Sequence, residues 1–297
     1  MYEFLNMTKR NILIFIRDKT TVFLSFLSVF ILLLLYVLFI GNGFVDGFVN
    51  EGAAIDNKLK TFLITSIVMG GAIVVNTASL SLGVMSSIVS DLESNKLDGF
   101  LVSPIKRHKI ILSYYVTSII ITTVLTIFLW FLAVLYVGVA SGYWYKTMTV
   151  LKVSSLIILY TFISSTFMIF MTSLIKSTNA FSTLAGVFGT IIGFISGAYI
   201  PLSQLGKLPL NIASLVPFSH MTMQLKQILL EEPYKILKTA PGMTEELFDI
   251  ATEAYGTNQI LIFNNSINIW LILGVSALIG ITLLFITYKR LNNKMEK

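Results

Sequence analysis

Two long stretches of the chain, Thr61–Val89 and Ile110–Tyr145, contain no Asp, Glu, Lys or Arg, and the segment between them, SDLESNKLDGFLVSPIKRHK at 90–109, is dense in charge. About 20 apolar residues suffice to cross the ~30 Å hydrocarbon core of a bilayer. Both stretches therefore cross, and the charged run is a hairpin tip standing on one membrane face. Asp91, Glu93 and Asp98 lie toward its start, Lys106, Arg107 and Lys109 toward its end, with Lys96 between them. Leu97 and Leu101, four apart, share one face of a short helix. Gly99 weakens that helix and Pro104 ends it. The expected product is a short amphipathic helix across the membrane surface, followed by a basic anchor.

Composition supports the same class. Apolar residues are 55% of the chain and charged residues 12%, with a mean hydropathy of +0.83, against roughly 25% charged in soluble domains. The fold class expected is all-α integral membrane: six transmembrane helices at about 21–40, 61–89, 110–140, 151–175, 179–200 and 267–288, within one transmembrane domain, 21–288. An interfacial helix, 1–20, precedes it and a tail, 289–297, follows. A transmembrane barrel would instead show short alternating segments. The first span has no small-residue cleavage site behind it and reads as a retained helix. Cysteine is absent, which removes disulfides, thiolate catalysis and cysteine-ligated metals together. Thirteen Lys and Arg fall on the side shared by both termini and the tip, against eight spread over longer segments on the other. Positive charge marks the cytoplasmic side, so both termini and the tip are expected there. No basic stripe with interleaved aromatics lies outside the spans, so nucleic acid is not an expected partner.

Along the chain, Leu5, Ile12, Phe15 and Ile16 fall on one side of a helical projection and Glu3, Asn6, Lys9, Arg10 and Arg17 elsewhere, the pattern of a helix lying in the bilayer interface. The plainer alternative is a set of flanking positive charges. The second span carries Asn76, Thr77, Ser79, Ser81, Ser86 and Ser87 with small residues among them, which suits close helix packing. Asn76, with Thr77 beside it, is also a candidate for the translocation path, because an amide at mid-membrane needs a partner or a wet cavity. Tyr143, Trp144 and Tyr145 form an aromatic belt. Ala185, Gly189, Gly193 and Gly197 repeat every four residues, a small-residue face that either a neighbouring helix or another subunit would fill. After Tyr199, Ile200–Met221 is moderately apolar but broken by Pro201, Pro209 and Pro217. Such a run suits a re-entrant element covered by protein. An acidic portion, 231–253, follows, and together these make an external segment and cap over 201–266.

Most chemistry is absent. There is no G-x-x-x-x-G-K-[ST], so the chain does not cradle ATP by a P-loop, and no H-E-x-x-H; His108 and His220 stand far apart. No catalytic residue, metal ligand or cofactor site is expected in the chain itself. No Asp, Glu, Lys or Arg lies deep in any span, which disfavours a proton- or sodium-coupled carrier.

The order of these features resembles the membrane subunit of ABC exporters of the ABC-2 (type-2) permease family, similar to daunorubicin-type and other multidrug permeases of bacteria. The likeness rests on RNILIFIRDKTTVFLSF leading into the first span, DLESNKLDGFLVSPIKR after the second, and SGAYIPLSQL with LVPFSH after the fifth. It implies that the tip is a coupling helix docking on a separate P-loop ATPase through Glu93, Lys96, Leu97, Asp98, Gly99, Phe100, Leu101, Pro104, Ile105, Lys106 and Arg107. It implies an outer gate around Pro201, Leu215, Pro217 and Phe218. ATP and magnesium would bind the partner subunit, and the permease would work as a homodimer or a heterodimer with a related chain in the bacterial cell membrane. The expected activity is export of an apolar or amphipathic compound such as a drug, antibiotic, peptide or lipid. A channel or scramblase independent of ATP, and a sensor or assembly subunit that transports nothing, are the alternatives.

Overall fold

The computed structural model describes residues 2–23, 55–97, 99, 105–175, 177–204, 206–254, 257 and 267–294. The expected first span lies outside them apart from residues 21–23, as do Asp98, Phe100, Leu101 and Pro104 of the tip. Among the described residues the elements are helices α1 (Tyr2–Arg17), α2 (Asn57–Glu93), α3 (Arg107–Ser141), α4 (Thr147–Ser173) and α5 (Thr178–Ile195), a 3-10 turn (Leu202–Gln204), then α6 (Lys207–Ser214), α7 (Pro217–Lys238), α8 (Glu245–Ala254) and α9 (Ile269–Lys294). Five of them, α2, α3, α4, α5 and α9, are long and apolar enough to cross a membrane.

Helix α2 is the axis of the bundle. It packs against α3, α4, α5 and α7, and it is buried along nearly its whole length. Asp56 starts it, accepting from the Leu59 N–H at 2.6 Å and so satisfying one of the first turn's free donors. Its polar residues are the glue to its neighbours. Asn76 donates to Thr126 Oγ1 at 3.0 Å, Thr77 and Ser164 hydroxyls meet at 3.3 Å, and Ser81 bonds Ser165 at 3.0 Å, with Ser118 also 3.2 Å from Ser165. Each such interhelical bond contributes roughly 0.5–2 kcal/mol inside a membrane.

The expected aromatic belt closes one end of this core. Tyr145 sits edge-on to Phe62 at 5.0 Å and shares a hydrogen bond of 2.7 Å with Ser66, while Tyr143 stacks on Phe62 at 5.7 Å. Trp144 lies where a side chain on Gly138 would be, 2.4 Å from the position of a Cβ. Around the bundle, α3 and α9 turn Phe128, Leu132, Leu278 and Phe285 outward, an apolar surface that suits lipid.

Three expectations change in detail. The interfacial helix α1 does not bury a purely apolar stripe: Met7, Thr8, Asn11 and Phe15 are buried, and Leu5 and Ile16 point out, because α1 packs on the polar base of α3. The small-residue repeat does not run on one helical face to its end, since α5 stops at Ile195 and Gly197 lies beyond it with φ +73°. That left-handed conformation favours glycine. The broken run and the acidic portion are not separate either: α7 passes through both, with Pro217 in its first turn and Pro233 inside it. Proline is tolerated at a helix start, where its missing N–H had no helical partner.

Candidate functional site

Two regions hold the residues singled out above, the base of the tip and the broken segment around α7.

At the base of the tip, Asp91 near the end of α2 is 4% exposed. Arg10 of α1 donates to its Oδ2 at 2.8 Å, and the Tyr114 hydroxyl of α3 donates to the same oxygen at 2.5 Å. One carboxylate thus ties three helices. Asn11 adds a donor bond to Ser113 at 3.3 Å, and Lys109 pairs with Glu3 at 2.9 Å. The hydrogen bond and charge of Lys109 hold the Glu3 carboxyl below its ordinary range. On the other flank Glu93 accepts the Thr178 N–H at 2.9 Å, setting a carboxylate at the N-terminus of α5, where the helix dipole favours negative charge. Arg107 reaches to 3.5 Å from Asn292 near the end of α9. Both roots of the tip are therefore bonded to other helices.

Of the tip residues described, Glu93, Lys96, Gly99 and Lys106 are exposed and Ile105 and Arg107 half-buried. Leu97 is 2% exposed and belongs to the main hydrophobic core, so it anchors the tip from within. The sequence could not reveal this, because one apolar residue among charges looks the same whether it faces a partner or its own chain.

Truncating Asp91 to alanine is expected to loosen α1. It leaves the buried Tyr114 hydroxyl without its carboxylate acceptor and removes the Asp91 carboxylate from Arg10. The cost is about 1–3 kcal/mol for a buried polar group left unpaired, with the ion pair adding little because Arg10 is partly exposed. Amide hydrogen exchange over residues 2–17 should accelerate several-fold, and Asp91→Asn, which keeps an acceptor for Tyr114, should fall between. Unchanged protection of α1 in Asp91→Ala would show that the three-way contact does not hold it.

In the second region α7 runs antiparallel to α4. Phe218 faces Phe167 edge-on at 6.1 Å, Tyr160 donates to Gln224 at 2.5 Å, and Glu232 accepts from the Lys146 N–H at 3.1 Å, capping the start of α4. From Phe218 to Glu232 is roughly 21 Å of helical rise, so α7 begins well inside the bundle. Residues 217–226 are all buried, although they include Ser219, His220, Thr222, Gln224 and Lys226. Pro201 and Pro217 are buried and Phe218 is 2% exposed, whereas Leu215, at the elbow between α6 and α7, is 61% exposed. His220 and Ser219 fold that elbow by reaching the carbonyls of Ser214 at 2.8 Å and Ala213 at 2.7 Å.

The remaining candidates are dispersed. Gly193 is filled from its own chain, because a Cβ there would stand 2.1 Å from the Tyr199 ring, while a Cβ on Gly189 would meet none of the described residues within 4 Å. Asn76 and Thr77 are closed inside the contacts of α2 with α3 and α4. Sequence reasoning missed the pairing of Arg10 with Asp91 and, on α7, the buried Thr222 and Lys226; the one available signal for Lys226 was a lysine between apolar residues, in LKQILL.

The class these features define is a polytopic helical membrane protein, with a polar helix enclosed among apolar ones. The family follows from comparison: the model of the ABC-2 type transporter matches residues 2–230, and the chain belongs to that family. No curated protein matches it.

Proposed function

We propose that the chain is the membrane-spanning permease subunit of an ATP-driven exporter that moves an apolar or amphipathic compound out of the cytoplasm or inner leaflet. The observation that carries this reading is the tip, whose roots are bonded to α1, α3, α5 and, through Arg107, toward α9. A push on such a tip is delivered to several helices at once. Family membership supports it, and so does the lack of any P-loop in the sequence, which leaves the energy source to a separate ATPase that binds ATP and magnesium. In this reading two permease chains, identical or related, sit in a bacterial cell membrane with both termini in the cytoplasm, and ATP-driven closure of the ATPase pair rocks the bundle. The segment at α6–α7 is the outer gate, re-entrant from the external face. Any part that Asn76 and Thr77 take in the path requires α2 to part from α3 and α4.

The test uses single cysteines, which enter cleanly because the chain has none. In vesicles holding permease and ATPase, a cysteine at buried Phe218 is expected to resist an impermeant external thiol reagent at rest and to react during ATP turnover. One at exposed Asp249 should react in both conditions. Equal labelling at Phe218 with and without ATP would remove the gate, and solute flux from the chain alone without ATP would favour a channel or scramblase over an exporter.

A further inference from the structure

Helix α2 omits two side chains in succession, at Gly70 and Gly71, at a junction of three elements. A Cβ on Gly70 would stand 2.5 Å from Lys226 Cγ and 3.1 Å from the Lys226 backbone nitrogen, and one on Gly71 would stand 2.6 Å from Ala198 Cα. The pair of glycines admits a lysine from α7 and the chain just beyond α5 side by side. Lys226 is 2% exposed and is the one buried Lys or Arg among the described residues. Its Nζ donates to Gly197 O at 3.1 Å, and no carboxylate among the described residues pairs with it.

An ammonium with three protons and, among the described residues, a single carbonyl acceptor is poorly compensated. Desolvating such a charge costs several kcal/mol, and an apolar side chain of similar volume would serve packing as well or better. The charge therefore answers a need other than packing. One turn earlier on the same face of α7 stands Thr222, 2% exposed, its hydroxyl buried without a hydrogen-bond partner among the described residues. Together the two side chains offer an ammonium and a hydroxyl to an acceptor that the described residues do not supply in full.

We propose that Lys226 and Thr222 are an oxyanion-recognition site for cargo. This rests on the exporter reading and adds a substrate class: amphiphiles with a phosphate, sulfate or carboxylate headgroup. In the closed state the Gly197 carbonyl takes the place of the anion. When α7 parts from the chain just beyond α5 that bond is released, and the ammonium meets the headgroup in surroundings of low dielectric, where charge attraction is strongest. The tail lies among the apolar side chains.

The experiment measures ATPase stimulation of the permease and ATPase complex in phosphatidylcholine vesicles by three single-chain probes: dodecyl phosphate, dodecyl maltoside and dodecyltrimethylammonium. Dodecyl phosphate is expected to half-saturate at about tenfold lower concentration than the maltoside, the scale of one charged hydrogen bond. Lys226→Met should abolish that difference and leave the maltoside response in place, Lys226→Arg should keep it, and Thr222→Val should shrink it several-fold. Inorganic phosphate alone should not stimulate. Vesicles containing phosphatidylglycerol that stimulate without added probe would name a bilayer lipid as the source of the same headgroup chemistry. Wild-type protein indifferent to headgroup charge, or a preference that survives Lys226→Met, overturns the site while ATP-coupled stimulation keeps the exporter standing. No stimulation by any amphiphile removes both.

Discussion

Replacing Gly71 with leucine is expected to cost the protein most of its folded yield. The first atom added would already stand 2.6 Å from Ala198 Cα, and that neighbour is backbone, which cannot swing aside as a side-chain end can. Overpacking of a filled core costs about 1–3 kcal/mol and sometimes more. Here the displaced segment also carries the Gly197 carbonyl held by Lys226, so the strain reaches three elements. Heating detergent-solubilised protein and following the monodisperse fraction by size-exclusion chromatography should show a fall of several degrees in the midpoint for Gly71→Leu. Gly83→Leu on the same helix is the comparison, because among the described residues nothing lies within 4 Å of a Cβ there, and it should behave like the wild type. A normal midpoint for Gly71→Leu would mean that α2 and the end of α5 are not in firm contact.

Reversing the charge of Lys96 and Lys106 together should remove the ATPase partner without harming the permease. Both side chains are exposed, so their loss leaves the bundle untouched. Placing like charges in register across a docking surface costs several kcal/mol, which predicts at least about a tenfold loss of ATPase in a pull-down of the tagged chain. Leu97→Asp is the instructive contrast, since it puts a charge into the core and should reduce folded yield before it says anything about docking. If Lys96→Glu with Lys106→Glu still brings down the ATPase in full, the tip is not the docking element.

How far these features could be read from the sequence depended on whether they were local. The charge-free runs became α2 and α3 with ends within a turn or so of those expected, because lipid demands length and apolarity and both are written residue by residue. Tyr143–Tyr145 fell at a helix end for the same reason. Helix α7 was less legible: its first turns are polar, and polarity normally signals exposure, yet in a bundle the protein itself can cover such residues. The Arg10–Asp91–Tyr114 contact joins positions far apart in the chain, and no period or motif announces it. The spacing through Ala185, Gly189 and Gly193 was real as far as the helix went, but what fills a glycine's space depends on partners. Tyr199 at Gly193 and Lys226 at Gly70 became visible only in three dimensions.

The polarity of α7 also bears on how the protein is made. A segment holding His220, Gln224 and Lys226 does not partition into lipid unaided, since a lysine at the centre of a lone helix costs about 2.5–3.5 kcal/mol during insertion. As a re-entrant segment it would enter only once α2 and α4 stand on either side of it. On the re-entrant placement proposed above, the apolar helices are expected to be threaded first and α7 to enter afterward from the aqueous phase, its polar groups finding Tyr160 and Gly197 as it enters. Between those stages the nascent chain would carry an unfilled cleft and an exposed polar helix, the form that a membrane quality-control protease would meet.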